Sequence, residues 1–149
     1  MAKQPSGPPL EGTVSIIGVR PRVAAGQRDA PVANLLVSLS GGSGQTIVAV
    51  TFSVSLNIPV TGRARLTDDA TGAVIAESTR SGSGYLFRDV PVAPPRSRAA
   101  RRFRITNLRG NASGLGGGLA GTPVIAFVSI SAPFRIAVSG SQQIVSATE

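Results

Sequence analysis

Residues 46–58, TIVAVTFSVSLNI, carry the clearest structural signal in the chain. Its even positions from 48 to 58 are all apolar and its odd positions from 51 to 57 are all polar, so only Ile47 and Ala49 depart from the alternation. Successive side chains of a β-strand point to opposite faces, and a period of two therefore turns one face toward a core and the other toward solvent. Helical spacing would scatter the same residues around a cylinder. The stretch predicts a half-buried strand.

Short β-prone segments separated by turn residues occupy much of the remaining chain. They include residues 13–23, 31–40, 85–92, 103–112 and 124–131, together with a hairpin, 63–67 and 73–78, around a turn at 68–72. Turn signals recur about every 8–12 residues, and no segment shows an apolar stripe of helical period. We therefore predict an all-β protein, an antiparallel β-sandwich of eight or nine strands with immunoglobulin-like or jelly-roll topology.

The length of 149 residues suits one domain rather than two. Residues 1–12 are rich in proline and polar side chains, so we expect a flexible N-terminal tail there. Residues 13–149 are then a single β-sandwich domain. A domain of this size buries enough surface to fold without disulfides or a structural metal.

Composition excludes several kinds of catalytic site. The chain has no cysteine and no histidine, which removes thiol nucleophiles, histidine-ligated zinc and Ser–His triads. Lys3 is the only lysine, so Schiff-base chemistry has almost nothing to use. The DDATG run at 68–72 lacks the spacing of a calcium loop and suits a hairpin turn. We predict a protein that is not an enzyme and has no cofactor and no metal site.

The charge balance is strongly basic, with 15 Lys and Arg against 7 Asp and Glu and a net charge of +8. Such a balance attracts polyanions, although a chain rich in Ala, Gly, Val, Pro and Arg is also what a GC-rich genome encodes. The densest charge lies at residues 96–104 and supplies a candidate site for nucleic acid or another polyanion. Its arginines are Arg96, Arg98, Arg101, Arg102 and Arg104. The alternative is a solvated loop between strands, whose charges deter edge pairing.

Four acidic residues are the candidates for a carboxylate pair of the glycosidase type: Asp68, Asp69, Glu77 and Asp89. All four fall near predicted turns or strand ends. Sugar-binding sites usually add stacking aromatic rings, and this chain has no tryptophan and one tyrosine. A carbohydrate-binding or carbohydrate-active domain therefore stays a secondary alternative.

Membrane and secretion signals are not evident. No window holds 18 consecutive apolar residues, so we predict no membrane span. Residues 1–10 contain Lys3 but no apolar core of a signal peptide, and we expect no leader in this chain. The compartment stays open on this evidence.

The C-terminal part carries a resemblance to a known group of proteins. It rests on LFRDVPVAPP at 86–95, FRITN at 103–107 followed by a Gly-rich gap, the apolar stretch TPVIAFVSI at 122–130 and SQQIV at 141–145. Over about residues 86–145 the chain resembles a β-rich module of large, mostly uncharacterised secreted or surface proteins of acidobacteria. The resemblance implies an extracellular structural or adhesive module with no assigned catalytic residue.

These observations lead to one function and two alternatives. We expect a non-enzymatic structural or surface module that acts by self-association or adhesion, with copies of itself as partners. The first alternative is a jelly-roll coat protein that packages nucleic acid through the arginine run. The second is the carbohydrate-directed domain considered above.

Overall fold

The computed structural model describes residues 11–18, 22–23, 27–40, 48–81, 84–92, 101–113, 123–132 and 136–148. Within these ranges the chain forms fifteen β-strands and no helix, which confirms the predicted all-β class. Nine strands have at least four residues. The strands are β1 (Glu11–Ile17), β2 (Arg22–Val23), β3 (Ala30–Pro31), β4 (Asn34–Ser40), β5 (Val48–Leu56), β6 (Val60–Thr61), β7 (Arg65–Asp68), β8 (Val74–Glu77), β9 (Thr79–Ser81), β10 (Gly84–Val92), β11 (Arg101–Thr106), β12 (Arg109–Gly110), β13 (Pro123–Ser131), β14 (Ala137–Ser139) and β15 (Gln142–Thr148).

The strands form three sheets. Sheet A has the order β14-β1-β4-β11-β7-β8, sheet B has the order β2-β15-β13-β5-β10-β9, and a small sheet C has the order β3-β12-β6. Neighbouring strands are antiparallel except for β1 with β14 and β2 with β15, which are parallel. The described part of the chain contains no helix with the length and hydrophobicity of a membrane span.

The alternating stretch lies where the sequence predicts it. Its residues 48–56 form β5, which runs through sheet B between β13 and β10. Val50, Phe52, Val54 and Leu56 are buried, and the intervening Thr51, Ser53 and Ser55 are partly exposed. A central strand with this pattern fixes which face of sheet B meets the core, because a slip of one residue would exchange the two faces.

One hydrophobic core contains side chains from sheets A and B. The rings of Phe52, on β5, and Phe103, on β11, have centroids 5.6 Å apart and are tilted by 58°. Both side chains are almost completely buried. Full burial of a phenylalanine contributes about 1.5–3 kcal/mol relative to exposure, so these central rings are major contributors to the stability of the fold.

Two predicted boundaries are wrong. β1 begins at Glu11, so Glu11 and Gly12 pair with β4 and β14 instead of belonging to a tail, and residues 1–10 lie outside the described part. The predicted strand at 103–112 is interrupted at Asn107, which has a positive φ of 60°. The chain therefore leaves sheet A after β11 and enters sheet C as β12.

The chain crosses from sheet A to sheet B at a single residue, Ser78, between β8 and β9. Ser78 is buried and exchanges two hydrogen bonds with Ala64: its N–H donates to the Ala64 carbonyl, and the Ala64 N–H donates to its hydroxyl oxygen, both at 2.9 Å. These bonds satisfy polar groups that would otherwise be buried without partners. They also hold residues 62–63 close to residues 79–80.

A second crossing, at Gly140 and Ser141, joins β14 of sheet A to β15 of sheet B. Gly140 has a φ of +72°, and a Cβ atom there would lie 2.3 Å from the Val14 carbonyl oxygen. The Gln143 side-chain amide donates to the carbonyls of Val14, at 3.1 Å, and Gly140, at 2.9 Å. This turn therefore packs directly on the backbone of β1 and needs glycine.

Candidate functional site

The described members of the predicted arginine cluster lie on a strand. Arg101, Arg102 and Arg104 belong to β11, which is bordered by β4 and β7 in sheet A. The predicted basic loop is therefore wrong for Arg101 and Arg102, whereas Arg104 lies within the strand predicted from residue 103. Arg96 and Arg98 lie outside the described residues. The error arises because Phe103 and Ile105 fill the core while the arginines between and beside them reach the surface, a pattern compatible with a strand.

Two of these arginines are paired with acids at the β7–β8 turn. Arg101 Nη1 lies 3.3 Å from Asp68 Oδ2, and the Arg101 guanidinium also stands over the Phe103 ring, 5.2 Å from its centroid. Arg104 Nε pairs with Asp69 Oδ1. Within the described ranges, only Arg102 of the predicted polyanion site is left exposed without an acidic partner.

The acidic residues form a turn and ion pairs. The Asp68 carboxylate accepts a hydrogen bond from the Ala70 N–H at 2.9 Å, which is the geometry of an Asx turn at the predicted hairpin. Glu77 pairs with Arg65 across β7 and β8 at 3.6 Å, with both side chains about half exposed. Asp89 occupies a bulge of β10 with a φ of 51°. In the described part of the chain, no group of three or more acids is placed to hold a metal ion.

The single tyrosine joins sheet B to sheet C. Tyr85, on β10, is completely buried, and its hydroxyl contacts the carbonyl oxygens of Thr61, on β6, and Arg109, on β12, the latter at 2.6 Å. The Arg109 N–H donates to the same hydroxyl at 3.0 Å. Burial raises the pKa of Tyr85, because the phenolate would lose its hydration, and the hydrogen bond with Arg109 offsets this only in part.

An ion pair covers this junction from the solvent side. Asp29 Oδ1 accepts hydrogen bonds from Arg109 Nε at 2.8 Å and from the Thr61 hydroxyl at 2.6 Å. The bond from Arg109, and after it the bond from Thr61, lowers the pKa of Asp29, and Asp29 in turn raises the pKa of Arg109. The charge of Arg109 is therefore balanced inside the network.

A cavity of about 430 Å³ lies beside this junction and is lined by Gly62, Arg63, Thr79 and Arg80. We call it the basic pocket. All four residues are exposed. Gly62 and Arg63 follow β6, whereas Thr79 and Arg80 begin β9, and the bonds between Ser78 and Ala64 bring the two segments together.

Sequence reasoning missed the basic pocket because its two arginines belong to different segments and form no run. Each is an isolated charge beside a turn or an edge strand. The one usable signal was positional: Arg63 directly precedes Ala64, and Arg80 follows Ser78 by two residues. The contact between Ala64 and Ser78 is not encoded in either local pattern.

A second surface feature is an extended face without charge. The strands β5, β13 and β15, adjacent in sheet B, contain no charged residue. Ile125 stands opposite Ile144, and Phe127 stands opposite Ser55. We call the described outward-facing side chains of these strands the uncharged face: Ala49, Thr51, Ser53, Ser55, Pro123, Ile125, Phe127, Ser129, Ser131, Gln142 and Ile144.

Comparisons with known proteins give structural similarity that is distant. No protein-family model matches the sequence, and no curated protein matches it. A solved structure of a DUF4466 family protein from Parabacteroides merdae aligns with a TM-score of 0.47 at 11% identity. The alignment covers 83% of this chain and 40% of that protein, so the chain spans less than half the length of its structural neighbour.

Proposed function

We propose that this protein is a non-enzymatic structural module that associates with copies of itself through the uncharged face. The observation that carries the proposal is an exposed apolar group on three adjacent strands, β5, β13 and β15, that contain no charged side chain. Phe127 and Ile144 are each 43% exposed, and the partly exposed Ile125 lies two residues before Phe127 on β13 and opposite Ile144 on β15. We further propose that sheets A and B pack face to face as a β-sandwich, which is supported by the contact of Phe52 with Phe103.

Charge favours a second copy as the occupant of this face. Two molecules with a net charge of +8 repel each other wherever basic surfaces meet. The uncharged face is a place where identical molecules can approach without bringing like charges into contact. Depletion of charged residues and enrichment of aromatic residues are also the features that distinguish the centre of protein interfaces. A two-fold arrangement would set the same patch against itself.

The experiment is a measurement of molecular mass over a wide concentration range by sedimentation velocity. The double variant Phe127→Thr with Ile144→Thr removes the apolar centre of the face, keeps a strand-favouring residue at both positions and leaves the net charge unchanged. We expect the wild-type protein to associate with increasing concentration and the double variant to stay monomeric.

Val74→Thr is the matched control, because Val74 is 55% exposed on β8 at the edge of sheet A, away from the uncharged face. It should associate like the wild type. A monomeric wild-type protein at all concentrations would refute the proposal. If Val74→Thr lost association to the same extent, the uncharged face would not be the interface.

The two alternatives have less support. Packaging of nucleic acid through the arginine run needs free cations, and Asp68 and Asp69 neutralise Arg101 and Arg104. A glycosidase needs two carboxylates available to a sugar, and Asp68, Asp69 and Glu77 are each paired with an arginine. An extracellular or cell-surface location, an adhesive role and the acidobacterial resemblance stay predictions from the sequence.

A further inference from the structure

We propose that the basic pocket binds a small tetrahedral oxyanion, phosphate or sulfate, either free or as the terminal group of an ester. This function goes beyond self-association and uses a different part of the surface. Its basis is the presence of two arginines, Arg63 and Arg80, in one cavity whose described lining residues include no acid.

The contrast with other arginines of the chain is informative. Arg65, Arg101, Arg104 and Arg109 each have a carboxylate partner within 4 Å. Within the described residues, neither Arg63 nor Arg80 is part of an ion pair; the salt bridges there end on other arginines. Like charges that line one cavity raise each other's energy, and an anion between them relieves that repulsion.

Asp29, which is bonded to the residue that precedes Gly62, already has a cationic partner. Thr61 directly precedes Gly62, and its hydroxyl donates to Asp29, whose same carboxylate oxygen also accepts from Arg109. Asp29 is therefore committed to a cation outside the pocket.

The backbone around the pocket is held in place by hydrogen bonds, so binding must order the lining side chains but not the backbone. Ala64 and Ser78 are linked by two hydrogen bonds of 2.9 Å. The Asn107 side-chain amide donates to the Arg63 carbonyl at 2.8 Å. On the other side, Arg80 is paired in register with the buried Tyr85 of β10. A binding site whose backbone is already ordered avoids part of the entropic cost of association.

The chemistry of the lining selects the ligand class. A guanidinium presents a planar fork of N–H donors that matches two oxygens of a phosphate or sulfate, and two guanidiniums match the charge of a dianion. No atom lies within 4 Å of a Cβ position at Gly62, so that side of the pocket is open to an approaching group. A volume of about 430 Å³ exceeds what a bare ion needs, which leaves room for the remainder of an ester.

Calorimetric titration of the full chain at low ionic strength tests the proposal, with inorganic phosphate, inorganic sulfate and O-phosphoserine as probes. We expect saturable binding with one site per chain. Arg63→Gln and Arg80→Gln should each weaken it about tenfold, since a hydrogen bond to a charged group is lost together with a charge. Arg63→Lys keeps the charge but removes the fork, and it should also weaken binding.

Arg88→Gln is the matched control for net charge, because Arg88 is an exposed arginine of β10 that does not line the pocket. It should change affinity by less than about twofold. Tighter binding of O-phosphoserine than of phosphate would identify an ester as the ligand, and the reverse order would identify the free ion. Absence of saturable binding by all three probes, or equal weakening by Arg88→Gln, would overturn the proposal.

Nuclear magnetic resonance gives an independent readout that does not depend on the variants. Addition of phosphate to isotopically labelled protein should shift the amide signals of Gly62, Arg63, Thr79 and Arg80 before others. Shifts centred instead on β11, around Arg102, would show binding at the predicted arginine cluster and would also overturn the proposal.

Discussion

At the scale of single residues, Tyr85 offers a direct test because it is the only tyrosine and the chain has no tryptophan. Ultraviolet absorbance of the phenolate therefore reports on this one side chain. Burial raises its pKa above the ordinary value of 10.0 in the folded protein, whereas in the unfolded chain it titrates at that value. We expect a pH titration of the native protein to show the phenolate transition shifted upward, and the shift to vanish in denaturant. Coincident titrations would contradict the described environment.

The raised pKa of Tyr85 also makes the free energy of unfolding depend on pH. A group whose pKa is raised by folding contributes stability that is complete below its unfolded pKa and is lost as the pH rises through the folded pKa. We expect Tyr85→Phe to lower the free energy of unfolding by about 1–3 kcal/mol at neutral pH, because it removes the hydroxyl contacts with Thr61 and Arg109. Chemical denaturation at several pH values should show this difference shrinking above pH 10. A difference that stays constant there would refute the assignment.

At the scale of elements, the turn between β14 and β15 can be compared with the turn between β7 and β8. Gly140 and Gly72 have nearly equal φ angles, +72° and +73°, but a Cβ at Gly140 would meet the Val14 carbonyl oxygen at 2.3 Å and one at Gly72 would meet nothing within 4 Å. We expect Gly140→Ala to lower the free energy of unfolding by roughly 2–4 kcal/mol, the sum of a strained φ and a steric overlap.

Gly72→Ala is the matched control and should cost only about 1–2 kcal/mol, since it has the strain without the overlap. Urea denaturation of both variants provides the comparison. Equal losses would mean that the backbone of β1 moves freely away from the turn, contrary to the described contacts.

The elements also show what local pattern can predict. The alternation in residues 46–58 predicted β5 correctly, because a strand with one buried face requires apolar residues at every second position. The join of β11 to β12 was missed because Asn107 takes a positive φ, which nothing in its neighbours requires. Two other features depend on contacts between segments that are distant in the sequence, so no local pattern predicts them. They are the ion pair of Arg101 with Asp68 and the basic pocket with Arg63 and Arg80.

At the scale of the whole molecule, the two proposed activities respond to salt in opposite directions. Self-association brings together molecules of net charge +8 through a face without charge, so screening of the general repulsion favours it. Oxyanion binding depends on attraction to Arg63 and Arg80, so screening weakens it. We expect the association constant to rise and the phosphate affinity to fall as sodium chloride is raised from about 0.05 to 0.5 M.

Sedimentation velocity and calorimetry over one salt series provide the two measurements. Chloride is preferred to sulfate here, because sulfate is itself a proposed ligand of the basic pocket. Association that weakens with salt would assign the contact to opposite charges instead of to the uncharged face.

The crossings at Ser78 and at Gly140–Ser141 have a consequence for motion. One residue separates the outermost strand of sheet A, β8, from the outermost strand of sheet B, β9, and two residues separate β14, at the other end of sheet A, from β15. The chain thus connects the two six-stranded sheets by short links near both edges of each sheet. We expect these two short connections to prevent either sheet from separating as a rigid body, so that solvent reaches the core only when both sheets unfold together.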